Sequence, residues 1–243
     1  MVFEKLEKMA EIEVEYSNKS TLAIQSGREP ALSAVEQPVL KIGGEPAIPG
    51  SSIKGTLRSI LEALLSQNGK KVCVPEATIP IKERDKKGYA SKIGRLPPCD
   101  PKNEICPVCQ IFGASGLSGS AIFFDAHVNG EYNLIERTHV AISRENRSAT
   151  KGTLMKIQAI DAGAKFNGTI RIINHEDWQV GALLDALENL KYLGLGSKKT
   201  SGYGEIEVKV NQITVKKMEN GKWTSKEADI KEFKASYEKF LKE

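Results

Sequence analysis

Ile48-Pro49-Gly50-Ser51-Ser52-Ile53-Lys54-Gly55-Thr56-Leu57-Arg58 carries the chain through a turn into a helix that opens on small residues and two cations. Ile53, Leu57, Ile60, Leu61, Leu64 and Leu65 fall at helical spacing, so one face of this helix is predicted to pack into a core. Pro49-Gly50 supplies the turn, and Ser51 or Ser52 offers a hydroxyl to cap a free backbone N–H. Lys54 lies near the first turn, where the helix dipole disfavours a cation by about 0.3–1 kcal/mol, and a phosphate there would reverse the sign. Free N–H groups, two hydroxyls, Lys54 and, one turn later, Arg58 are the parts of an anion site. An ordinary capped amphipathic helix with two solvated cations has the same parts. Gly55 lets a ligand or a neighbouring backbone come close.

Upstream, Glu11 to Tyr16 and Thr21 to Ile24 alternate apolar and polar residues about the turn-like Ser17-Asn18-Lys19-Ser20, which reads as a strand or hairpin with one buried face. The loop from Gly27 to Ala47, with Val35-Glu36-Gln37-Pro38 and the Gly43-Gly44 pair, delivers the chain to the helix. Downstream, residues 70–120 are rich in Pro, Gly, Lys and Cys and show no sustained period, as expected of an insertion. Ala121 to Val128 suits a central strand, and Phe166 to Ile173 a second one. Trp178 to Leu193 has helical spacing with Gly194 as its stop. The strand from Glu205 to Met218 closes the sheet, and Thr224 with Glu227 reads as a capping box for a last amphipathic helix. Without the insertions the order is strand, helix, strand, strand, helix, strand. It predicts an α+β, ferredoxin-like fold: a four-stranded antiparallel sheet with two helices on one face.

All four cysteines, Cys73, Cys99, Cys106 and Cys109, lie in the irregular insertion, the last two as Cys-x-x-Cys. Two thiolates so spaced can chelate one metal ion from a tight turn, and two more complete a tetrahedral zinc shell. In a reducing compartment a loop-rich insertion is better held by structural zinc than by disulfides. Free thiols, or His127 or His139 in place of one cysteine, stay open. A redox Cys-x-x-Cys would be expected to end a strand and open a helix.

Gly194-Leu195-Gly196-Ser197-Lys198-Lys199-Thr200-Ser201-Gly202-Tyr203-Gly204 is not a Walker A motif, since it follows a helix and precedes a strand. It reads as an anion nest with Lys198 and Lys199 as point charges, or as a flexible turn with solvated lysines. Arg137, His139, Arg144, Arg147, Lys151 and Lys156 lie among small residues without interleaved aromatics, which suits backbone contact better than base stacking. The alternative is a mobile charged hairpin.

With 243 residues the chain can bury a core without covalent staples, and its net charge of +4 is compatible with nucleic acid without requiring it. No apolar run is long enough to cross a bilayer, and Met1 to Leu6 lacks a signal-peptide core, so a cytoplasmic setting is expected.

Taken together, the Ile48–Arg58 stretch, Cys106-Pro107-Val108-Cys109-Gln110-Ile111-Phe112-Gly113 and the glycine loop strongly resemble the RAMP superfamily of CRISPR proteins. Within it the chain is similar to the repeated backbone subunit of type III (Csm/Cmr-type) effector complexes, from residue 11 to about 215. The resemblance implies a modified RRM-like palm over residues 1–220, a cysteine-rich lid at 70–120 and a thumb hairpin at roughly 137–160; outside it, residues 221–243 are expected to form a C-terminal amphipathic helix packed on or beside the core. It implies copies stacked with other RAMP subunits along a guide crRNA, each thumb displacing one base between guide and target RNA. Ser52, Lys54 and Arg58 would then grip the crRNA backbone, with Gly196, Lys198 and Lys199 of the glycine loop and Arg137, Arg144 and Arg147 of the thumb. In similar subunits a loop aspartate supports Mg2+- or Mn2+-dependent cleavage of target RNA, and Glu36 holds the corresponding place here. A non-cleaving scaffold is the other reading within the family. A zinc-stabilised redox or nucleotide-binding enzyme is the reading outside it.

Overall fold

Along the strand β1 (Lys8–Asn18), Ala10, Ile12, Val14, Tyr16 and Asn18 are buried while Glu11, Glu13 and Glu15 face the other way. One buried face and one charged face is the pattern of a sheet packed on one side only. The computed structural model describes residues 5–26, 37–83, 85–102 and 104–243. It shows a mixed α/β architecture built on an antiparallel sheet. β1 is one long strand, not a hairpin: Leu22 beyond it makes only a single bridge, to Ile160. The strand pairs antiparallel on both sides, with β8 (Lys165–Ile173) through Ile12↔Ile170 and with β9 (Ile206–Glu219) through Ile12↔Ile213. A bulge between Glu13 and Val14 shifts the β9 register.

The other strands extend this centre. Among the described residues the main sheet has eight strands, more than the expected four. Ala121 to Val128 forms two short strands, β4 (Ala121–Phe123) and β5 (Ala126–Val128), both paired with β8 and interrupted at Phe124-Asp125. Beyond β5 lie β3 (Glu45–Ile48) and β2 (Lys41–Ile42), a hairpin turning on Gly43-Gly44 within the stretch expected to be loop. At the opposite edge β10 (Lys222–Glu227) folds back on β9. The order across the sheet is β10-β9-β1-β8-β5-β3-β2. A separate two-stranded hairpin joins β6 (Leu134–His139) to β7 (Met155–Ile160).

The helix α1 spans Gly50–Gln67 as its periodicity predicts, and Ile53, Leu57, Ile60, Leu61 and Leu65 are each at most 2% exposed. Burying a large aliphatic side chain contributes about 1.5–3 kcal/mol, so this face alone anchors the helix. Its cap differs from expectation: Pro49 is the N-cap, no side chain of the turn caps the helix, and Ser51 and Ser52 lie inside it. The N–H of Gly50 instead donates to Asp125 Oδ1 at 2.7 Å, which accounts for the break between β4 and β5. A Cβ on Gly50 would meet Phe123 O at 2.2 Å, so only glycine lets α1 start this close to the sheet.

α4 (Asp177–Leu193) lies beside α1 and ends at Gly194, with a capping box of Glu176 and Gln179. Residues 70–120 are more regular than expected, containing α2 (Lys86–Lys92) and α3 (Pro107–Phe112). Thr224 and Glu227 are not a capping box, because both belong to β10; Asp229 caps α5 (Ile230–Lys242) by accepting from Lys231 N at 2.9 Å. α5 packs over α4, stacking Phe240 on Trp178 at 4.1 Å. No described helix is long and apolar enough to cross a membrane.

Candidate nucleic-acid interface and metal centre

The antiparallel register brings two of the expected contact segments to one end of the sheet. Ser17 and Asn18, where β1 finishes, stand opposite Lys165, where β8 begins, and Ile206, where β9 begins. The β6–β7 hairpin feeds β8 and the glycine loop feeds β9, so both sit at that end. α1 starts near the middle of the sheet: Ile48 pairs with Ala126, whose neighbour His127 faces Asn167, one residue from the Gly168 that pairs with Val14, and Gly50 lies against Phe123, which pairs with Ile170 opposite Ile12. Val14 is four residues from Asn18, an offset of about 13 Å along a strand.

The glycine loop packs closely against the segment that follows β1. Gly196 has φ +86, and a Cβ there would meet Ala23 O at 2.6 Å. Ser197 N donates to Ala23 O at 2.9 Å and Gly204 N to Thr21 O at 2.9 Å. Lys198 itself adopts φ +59, the left-handed region that an L side chain enters only under constraint. Lys198 and Lys199 stand exposed on this hydrogen-bonded loop.

Tyr203 links this loop to the hairpin. It is buried against Ala23, Ile157 and Ala159, hydrogen-bonds His139 Nε2 at 2.8 Å, and lies under the guanidinium of Arg137 at 5.2 Å. Arg137 is exposed on β6, and Arg144 and Arg147 are exposed at the hairpin tip, where Val140, Ile142 and Leu154 are also open to solvent. Glu36 lies outside the described residues. Gln37, which follows it, bonds with β7: its N–H donates to Lys156 O and its carbonyl accepts from Gln158 N at 3.0 Å.

The opposite face of the sheet is occupied by its own charges. Arg171 Nη2 bonds Glu11 Oε1 at 2.6 Å, Lys216 pairs with the same carboxylate, and Lys165 reaches Glu15 at 3.3 Å. Burial pushes the Glu11 carboxyl up, but the bonds from Lys216 and Arg171 outweigh it and hold it below the usual carboxylate range. An acidic strand between paired cations is a poor surface for a polyanion.

The four cysteines converge. The sulfur atoms of Cys73, Cys99, Cys106 and Cys109 all lie within 4.8 Å of one another, with Cys73 and Cys109 at 3.3 Å. A tetrahedron of metal–sulfur bonds of about 2.3 Å has edges of about 3.8 Å, so the donors are spaced for one ion. None is in a disulfide. Hydrogen bonds from Cys109 and Cys73 draw the Cys106 thiol well below the usual range, and the bond to Cys106 raises Cys73 to about 12. Cys106 caps α3 with Pro107 as its first residue, so the Cys-x-x-Cys does open a short helix, a feature it shares with redox pairs. Two further sulfurs in the same shell favour metal binding. No histidine belongs to the cluster among the described residues, and His139 is engaged with Tyr203.

The three residues of α1 expected on RNA divide. Ser52 and Lys54 are partly exposed on the first turns of α1. Arg58 is turned inward: Nε donates to Glu62 Oε1 at 2.9 Å, Nη1 to Gly113 O at 2.8 Å and Nη2 to Cys109 Sγ at 3.3 Å. Sequence reasoning missed this role and that of Asp125, though the i,i+4 spacing of Arg58 and Glu62 was a usable signal.

Residues 20–207 match the RAMP superfamily. The CRISPR system Cms endoribonuclease Csm3 of Methanocaldococcus jannaschii is 24% identical over 203 residues, covering 77% of this chain and 73% of the relative. The protein of the same description from Methanothermobacter thermautotrophicus is 25% identical over 230 residues, covering 83% and 81%.

Proposed function

Because the chain belongs to the RAMP superfamily, we propose that it is a crRNA-binding backbone subunit of a type III CRISPR interference complex, one of several copies lined along the guide beside other RAMP subunits. The observation that carries this reading is the meeting of the glycine loop and the β6–β7 hairpin at one end of the sheet, with the start of α1 midway along it, all within the matched region. The strand order β9-β1-β8-β5 with α1 and α4 beside it supports a ferredoxin-like palm. In this reading Ser52, Lys54, Lys198, Lys199 and Arg137 hold guide phosphates, and the backbone frame around Gly196 positions the two lysines. The hairpin is the thumb, with Arg144 and Arg147 at its tip and Val140, Ile142 and Leu154 as an apolar wedge between stacked bases.

Four sulfur donors suit zinc, which would pin the 70–120 lid against α1 as a structural ion. Arg58 belongs to that seam and leaves the RNA-contact set.

The test is salt dependence of single-stranded RNA binding by the full-length chain free of guide. Each phosphate contact removed by Lys54→Ala, Lys198→Ala or Lys199→Ala lowers the slope of log K against log salt by about 0.7, equally for every sequence. Loss confined to particular sequences contradicts the reading.

Cleavage is a second reading, favoured because both relatives are described as endoribonucleases. It assigns to Glu36 the binding of Mg2+ or Mn2+ or the activation of a ribose 2′-hydroxyl. Regular cutting of guide-matched RNA that Glu36→Ala abolishes supports it; cutting that survives the substitution removes Glu36 from the site.

A further inference from the structure

Arg58 has more acceptors than a surface contact needs, and they tie α1 to α3. Its planar fork points Nε along α1 to Glu62, Nη1 to the carbonyl of Gly113 where α3 ends, and Nη2 to the sulfur of Cys109 within α3. Glu62 is held from its other oxygen by Arg95 Nη1 at 2.8 Å, from the turn after α2. The side chains of Glu62 and Arg58 are only 11% and 19% exposed. A carboxylate this enclosed is retained because two guanidinium groups compensate it.

We propose that Arg58 is a positioning residue of the metal centre: braced by Glu62 and Arg95, it donates an N–H···S bond to Cys109 and thereby fixes the four-sulfur cluster to α1. The assignment rests on the metal reading above. Four thiolates around a dication leave two negative charges to be balanced, and a cationic N–H donor beside one sulfur lowers that cost. Arginine suits the position because three directed donors meet three separate acceptors; lysine, a point charge on a flexible stem, cannot hold them together. The cluster and the first turns of α1 consequently move as one body, with Lys54 one turn from the anchor.

The experiment uses the full-length chain loaded with zinc, and in parallel with Co2+ as a spectroscopic probe. Zinc affinity is read by competition with a chromogenic chelator, and the sulfur environment by the thiolate-to-Co2+ charge-transfer band. Arg58→Lys is expected to weaken zinc binding by about 10–100-fold and to shift the band, with the circular dichroism of the zinc-saturated protein unchanged. Glu62→Gln, which leaves Arg58 in place but loosens its brace, is expected to move both readouts the same way by less. Wild-type affinity and an unmoved band in Arg58→Lys overturn the assignment. Should that variant not fold, the same result in Glu62→Gln overturns it. A wild-type chain holding under half an equivalent of zinc overturns the metal reading, and this assignment with it.

Discussion

Tyr203 and His139 share a hydrogen bond of 2.8 Å that joins the glycine loop to the first strand of the hairpin. Through it, two segments 64 residues apart are held as one surface. Tyr203→Phe keeps the packed ring and loses only the hydroxyl, for an expected cost of about 0.5–1.5 kcal/mol. Tyr203→Ala also empties the small cluster with Ala23, Ile157 and Ala159, and is expected to cost about 3 kcal/mol or more. Urea unfolding separates the two, and hydrogen exchange in β6 should rise strongly only in the alanine variant.

Two glycines of α1 make opposite predictions. Gly50→Ala puts a Cβ 2.2 Å from Phe123 O and must push α1 off the sheet, costing about 1–3 kcal/mol. Gly55 is exposed with nothing within 4 Å, so Gly55→Ala should stabilise the helix by up to about 1 kcal/mol. If the guide backbone crosses this turn, the stabilised Gly55→Ala protein nevertheless binds RNA more weakly. Thermal denaturation and RNA titration of the same samples check both signs.

His175, 2% exposed beside Phe233, has its pKa lowered to about 4, first by burial and then by the charge of Lys8, against the opposing pull of Asp177. The unfolded chain binds this proton from about pH 6.5 downward, while the folded chain resists it until about pH 4. Stability from this group is therefore complete above about pH 6.5 and falls as the pH drops toward 4, by on the order of 2–4 kcal/mol. His175→Leu should flatten denaturation midpoints between those limits. A slope unchanged by the substitution would assign the acid sensitivity elsewhere.

Much of the helix layer is legible in the sequence, because side-chain periodicity is a local property. The buried stripe of α1 and the Gly194 stop of α4 both follow from residues within a few turns. What is not legible depends on distant partners. Asp125, 75 residues away, displaces the serines of α1 as the cap. Thr224 and Glu227 fit the capping-box spacing, yet pairing with β9 takes them into a strand and leaves the cap to Asp229. Arg58 reads as a phosphate contact until Gly113 and Cys109, 55 and 51 residues on, are folded against it. The cysteines are the instructive exception: they too meet across distance, but four thiols bunched in one irregular stretch have little chemistry open to them other than a shared centre.

The most direct measurement is a photocrosslinking map of single-stranded RNA on the full-length chain, read by mass spectrometry of the crosslinked peptides. The account predicts crosslinks in the first turns of α1, in the loop carrying Lys198 and Lys199, and along the hairpin from Arg137 to Arg147. Crosslinks concentrated instead on the charged sheet face, around Glu11, Glu13 and Thr169, would contradict it.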